Sequence, residues 1–204
     1  MAVAYPITES LPRMTFEEFL EWTDEDTFAE WVDGEITLMT TTTQHQIICG
    51  FLLRAVSEFV EAKDLGMVLF APFLMRLSTR KSGREPDILF IAKANMDRLR
   101  GSWLDGPADL VVEVVSDESR KRDRETKFEE YAAAGVREYW LIDAPRQQAD
   151  IFVLSADGHY APAEVDENGL LRSAVLEGLT VDVRWLWQDP KPTLKSVLAG
   201  WGLE

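Results

Sequence analysis

Two short apolar runs carry an acid where a buried strand tolerates one poorly, and this constrains the fold more than any other feature of the chain. Residues 88–91 read Ile-Leu-Phe-Ile, with Asp87 opening the run directly after Pro86. Residues 110–115 read Leu-Val-Val-Glu-Val-Val, with Glu113 splitting an otherwise continuous stretch. Desolvating a carboxylate between β-branched residues is costly unless the charge is paired or bound to a cation. Both runs are short and nearly wholly apolar, which suits strands covered on both faces. Twelve positions after the second run, on a segment of helical spacing, stands Lys127. Two carboxylates and an ammonium drawn from two strands and the following helix have the composition of a divalent-metal site for phosphodiester hydrolysis.

Charge is unevenly distributed. The 204 residues carry a formal net charge of -15, which argues against a polyanionic partner, because phosphate binding draws on basic surface. Yet 12 of the 21 Lys and Arg fall within residues 76–127, the quarter of the chain that holds both acids. The single cysteine, Cys49, rules out an internal disulfide and any cysteine-rich zinc site, and is expected to act as a small apolar helix residue. No apolar run reaches the length of a membrane span, and the start has no basic region followed by an apolar one. These features predict a cytoplasmic protein, one domain over residues 1–204, with a core at about 12–155 and a C-terminal extension at 156–204.

Local signals order the rest. Thr15 and Glu18 form a capping box ahead of Phe16, Phe19 and Leu20, predicting a short helix to about Thr23. Asp33-Gly34 between two β-prone runs predicts a hairpin over 28–39, with Glu30 in its first strand. Apolar residues recurring every three and four positions predict the longest helix over 43–63, with His45 in its first turn. Strands are expected at 67–70, 73–77, 87–92 and 110–115, with loops at 78–83 and 101–107 and a helical turn at 94–99. A charged helix between Ser116 and Gly135, followed by strands at 136–142 and 148–154, makes a βαβ crossover. The tail is expected to hold a strand at 173–176 and two short helical pieces near 184–187 and 194–199.

With these residues in hand, the chain resembles the Uma-type restriction endonuclease family of the PD-(D/E)XK nuclease superfamily. The likeness rests on Glu-Pro-Asp at 85–87, Asp-Leu-Val-Val-Glu-Val-Val at 109–115, the stretch from Asp123 to Lys127, and the run from Tyr131 to Asp143. It continues upstream through residues 14–20, Glu-Trp-Val-Asp-Gly-Glu at 30–35, and Gln44-His45. The resemblance implies a mixed α/β, restriction-endonuclease-like core: a mixed central sheet flanked by helices, with an N-terminal helix and hairpin. It implies Asp87 and Glu113 as metal-binding acids; with the backbone carbonyl of Val114 they make a half-shell suited to Mg2+ as cofactor, with Mn2+ as a substitute. Glu30 matches an upstream acid that supports the site. The superfamily's usual lysine, two residues after the second acid, is here Val115. The basic residue is therefore expected on the following helix, as Lys127, with Arg124 or Arg122 behind it. His45 and Arg124 are expected around the metal-binding residues.

The function this predicts is a metal-dependent endonuclease acting on DNA, working as a homodimer. Trp185, Trp187 and Trp201 offer aromatic tail surface for the subunit contact. The acidic surface favours a different reading, a non-catalytic binding or interaction module on the same fold. Hydrolysis of a smaller phosphodiester is a third.

Overall fold

The computed structural model describes residues 13–23, 27–38, 41–77, 80–116, 119–163 and 165–203. Residues 1–10, where no signal segment is expected, and Met39, the predicted end of the hairpin, lie outside them. Helix α1 (Phe16–Trp22) begins at the capping box read from the sequence. Thr15 accepts from the Glu18 amide, and Glu18 accepts from the Thr15 amide. Such a cap stabilises a helix end by about 1 kcal/mol, and here it fixes the entry of a helix that buries Phe16 and Phe19. Strands β1 (Ala29–Val32) and β2 (Glu35–Leu38) form the hairpin around Asp33-Gly34, both of which take positive φ. Helix α2 (Thr43–Ala62) follows, capped by Thr42 and burying seven residues on one face.

The next strands divide between two sheets. Strand β3 (Gly66–Phe70) pairs with β6 (Ile88–Ala92), while β4 (Leu74–Leu77) pairs with β5 (Ser82–Arg84) and β7 (Trp103–Asp105). Strands β5 and β7 occupy stretches expected to be loops. Each is only three residues long, too short to show alternation, and β5 exists because it closes the hairpin sheet onto β4, pairing Trp31 with Gly83. A 3-10 turn over Lys93–Arg98 agrees with the expected helical turn.

Strand β8 (Leu110–Val115) runs antiparallel to β6 and parallel to β9 (Glu138–Asp143), which pairs with β10 (Gln148–Leu154) and through it with β11 (Tyr160–Pro162). The βαβ crossover is thus present. Its helix is a π-helical turn at Arg122–Lys127 continued by α3 (Phe128–Ala134), which Gly135 ends at φ 94°. The main sheet has the order β11-β10-β9-β8-β6-β3, and the second β2-β1-β5-β4-β7.

Period two sorts the main sheet's faces. Ile88, Phe90, Leu110, Val112, Val114, Trp140 and Ile142 pack with α2, while Leu89, Ile91, Val111, Val115, Tyr139 and Leu141 pack with Tyr131 and Met75. The tail joins the first of these cores. Strands β12 (Leu170–Arg172) and β13 (Thr180–Asp182), a 3-10 turn at Val183–Leu186 and helix α4 (Leu194–Gly200) bring Leu171, Leu176, Val181, Leu186 and Val197 into it.

The strand expected at 173–176 is a turn between β12 and β13. The buried Glu138 carboxylate accepts from Ser173 Oγ and from the amides of Ala174 and Val175, which curls the chain around it. The tail tryptophans are used within the chain. Trp185 packs edge-on against Phe51, Trp201 against Phe59, and Trp187 against the same core. The aromatic surface on which the homodimer expectation rested is therefore largely internal. Among the described residues no helix is long and apolar enough to cross a membrane.

Candidate active site

Sheet register brings the two acids together. Ile88 pairs with Val112 in the antiparallel β6–β8 ladder, so one step further along the register sets Asp87 opposite Glu113. Their side chains meet different neighbours, Asp87 the α2 residue His45 and Glu113 the α3 residue Tyr131, and both line one cavity. Like charges directly opposite are destabilising, and two features of the surroundings offset this. Asp87 Oδ2 accepts from the Val114 amide at 2.6 Å and lies 3.1 Å from His45 Nε2. Glu113 Oε1 accepts from Lys127 Nζ at 2.8 Å and from the Tyr131 hydroxyl at 2.7 Å. Asp87, Glu113, Lys127, His45, Glu85 and Arg122 line one cavity of about 390 Å3.

Lys127 is 1% exposed and stands among three acids. Its ammonium is 2.7 Å from Glu30 Oε1, 2.8 Å from Glu113 Oε1 and 3.4 Å from Asp123 Oδ1. Burial favours the neutral amine, but Glu113, Glu30 and Asp123 outweigh it and push the ammonium's pKa up. Glu30 is fully buried, which opposes its charge, yet Lys127, Arg84 and Arg122 hold its pKa down at about 2. Glu113 goes the other way. Burial pushes it up to about 8 against the pull of Lys127, with Asp123 and Asp87 adding repulsion. Desolvation therefore outranks the repulsion between the two acids as the cause. Glu85, which accepts from the Ala29 amide, is likewise pushed up to about 8 by burial.

The second sheet supplies the outer support. Arg84 on β5 donates from Nε and Nη2 to both Glu130 oxygens at 2.8 Å, and from Nη1 to Glu30 at 2.9 Å. Such a two-pronged pair fixes orientation as well as charge. A chain of contacts thus runs from α3 through Arg84 to Glu30, Lys127 and Glu113.

The structure brings Asp87, Glu113, Val114, Lys127, Glu30 and His45 together. It does not bring in Arg124, whose guanidinium pairs with Asp150 at 2.8 Å and lies 3.7 Å from Asp143, on the far side of the π-helical turn. Arg122 is the arginine at the site, with Nε 3.6 Å from Glu30. Arg84, Glu130, Asp123 and Tyr131 were not singled out from the sequence as site residues. Tyr131 follows Lys127 by one turn, a spacing that signals a shared helix face, while Arg84 directly follows the polar run that reads as a loop. Cys49 packs against the α2 core as expected, where burial pushes the thiol's pKa up, and its Sγ also lies 3.5 Å from His45 Nδ1.

The donor set fits a hard divalent cation. The hydrogen bonds of Asp87 fall on Oδ2 and those of Glu113 on Oε1, leaving Oδ1 and Oε2 as the oxygens open to an ion. Two carboxylate oxygens and a nearby carbonyl suit Mg2+, which keeps several waters and takes one or two protein carboxylates.

A mixed α/β fold with facing acids at the end of two central strands defines a class, that of restriction-endonuclease-like chains. The model of the family described as "Uma2: Putative restriction endonuclease" matches residues 16–184, and the chain belongs to that family. The match runs well past residue 155, into the tail that completes the core. Among solved structures, a protein titled "putative nuclease belonging to DUF820" from Anabaena variabilis ATCC 29413 has the same fold, at TM-score 0.70 and 14% identity. The match covers 85% of this chain and 97% of that one. No curated protein matches the chain.

Proposed function

We propose that this chain is a divalent-metal-dependent endonuclease that hydrolyses DNA phosphodiester bonds. Asp87, Glu113 and the Val114 carbonyl would hold Mg2+, with Mn2+ able to replace it. The bound ion supplies an acidified water and neutralises charge on the phosphoryl oxygens. The observation that carries this reading is the convergence of Asp87 and Glu113 on one cavity with the Lys127 ammonium 2.8 Å from Glu113.

Lys127 orients the attacking water and offsets developing negative charge, a role that buried, fixed donors perform better than solvent. Glu30 is a positioning residue: it keeps Lys127 charged and pointed at the cavity. Arg122, on the cavity wall, is placed to meet a phosphate. We read the chain as one domain, since the tail's apolar residues complete the core beside α2. Cutting both strands of a duplex takes two such sites, so the active form is read as a homodimer. A light-scattering mass that stays monomeric as concentration rises excludes this.

The net charge of -15 favours the second reading, a non-catalytic module on the same fold. The test combines calorimetry with a plasmid-nicking assay. Magnesium binding and magnesium-dependent nicking, both lost in Asp87→Asn and Glu113→Gln, support the nuclease. Absence of magnesium binding, or binding untouched by Asp87→Asn, supports the module.

A further inference from the structure

Beside the two-acid site, on the α2 side of Asp87, lies a second and chemically different set of donors. His45 and Cys49 stand one turn apart on α2, and their side chains meet Asp87 at the start of β6. The donor atoms of the three residues all lie within 4.8 Å of one another. His45 Nε2 is 3.1 Å from Asp87 Oδ2 and 4.0 Å from Cys49 Sγ. A tetrahedral ion with bonds of about 2.0–2.3 Å sets such nitrogen-to-oxygen and sulfur-to-nitrogen edges near 3.3 Å and 3.6 Å. The nitrogen-to-oxygen edge matches, whereas Sγ lies nearer Nδ1, at 3.5 Å, than Nε2. Ligation through Nε2 therefore requires the Cys49 side chain to rotate toward Asp87.

We propose that His45 Nε2, Cys49 Sγ and an Asp87 carboxylate oxygen form a second cation site, selective for a zinc-class ion, whose occupancy opposes magnesium at the neighbouring acids. Thiolate, imidazole and carboxylate together are a zinc and cobalt donor set, whereas magnesium takes oxygen donors. The helix prepares the site: Thr42 Oγ1 accepts from the His45 amide, which fixes His45 in the first turn. Asp87 Oδ2 is also held by the Val114 amide, so the carboxylate is oriented before any ion arrives. The fourth position opens into a cavity of about 480 Å3 walled by Phe28, Phe70 and Pro72, leaving room for water or an exchanging ligand. Binding through Nε2 sets the neutral imidazole with its proton on Nδ1 and releases the thiol proton. One carboxylate then serves two dications, and their repulsion across a few ångströms at low dielectric disfavours simultaneous occupancy.

The site itself is independent of the nuclease reading; only the antagonism rests on it, and two readouts keep them apart. Cobalt(II) added to the full chain is expected to give a thiolate-to-cobalt charge-transfer absorption band at one equivalent, which zinc removes by displacement. Cys49→Ser and His45→Ala, checked for folding by circular dichroism, should abolish the band, whereas Glu113→Gln should keep it. No band in the unaltered chain, or a band that survives Cys49→Ser, overturns the site. In the nicking assay, one equivalent of zinc should raise the magnesium needed for half-maximal rate at least tenfold, and Cys49→Ser should remove that shift. Stimulation by zinc, or an equal shift in Cys49→Ser, overturns the antagonism. A cobalt band without nicking under any metal leaves the site standing and removes the nuclease reading instead.

Discussion

Glu30 and Lys127 meet at 2.7 Å, both buried, one from the hairpin sheet and the other from the crossover helix. The pair ties the two sheets together at the cavity, and it holds the ammonium between Glu30 and Glu113. Replacing Glu30 with Gln keeps the shape and removes the charge. Lys127 then swings toward Glu113 and Asp123, and nicking should fall by about ten- to a hundredfold, with the magnesium requirement little changed. Single-turnover nicking across a magnesium series measures both. A large rise in the magnesium requirement would instead make Glu30 part of the metal site.

Arg84 satisfies two buried acids, so its removal takes both arginine bonds from Glu130 and leaves Glu30 to Lys127 and Arg122. Breaking a buried pair by deleting one partner costs about 3–5 kcal/mol, and Arg84→Met should lower urea-unfolding stability by about that amount. Arg84→Lys recovers only part, because an ammonium cannot make the two-pronged contact with Glu130. Loss of less than about 1 kcal/mol in Arg84→Met would show that water replaces the guanidinium.

Asp143 supports the end of β9 and gives a pH prediction. Burial raises its pKa, but the Arg120 and Arg146 hydrogen bonds outweigh burial and hold it below the usual carboxylate range. A carboxylate depressed on folding contributes stability that is fully present above its unfolded pKa, about 3.9, and is lost as pH falls through the folded value. Asp143→Asn should be less stable at neutral pH and should lose less on acidification below about pH 4. Urea unfolding at stepped pH reads the slope; equal slopes in the two proteins would remove Asp143 from the acid transition.

The sequence showed most clearly what local chemistry decides. Thr15 and Glu18 announced α1, Asp33-Gly34 the hairpin, and the split run around Glu113 a strand whose acid needs a partner. Strand β5 was hidden, because Ser82 to Arg84 pair through backbone alone and carry no alternation. The fate of residues 173–176 was hidden too, since the turn is dictated by Glu138, which is remote in sequence. Lys127 was legible as a helix-borne cation, but Arg124 and Arg122 exchange roles. The π-helical turn shifts the side-chain positions, a change that no regular helical spacing encodes. Cys49 read as apolar and does pack against the core, but its nearness to Asp87, on another element, is assembled only by the fold.

The central claim is that Asp87 and Glu113 hold one divalent ion between them. The most direct measurement is the anomalous signal of manganese in a crystal of the protein soaked in that ion. A peak bonded to one oxygen of Asp87, one of Glu113 and the Val114 carbonyl is expected. A peak away from these atoms, or none at saturating manganese, would contradict it.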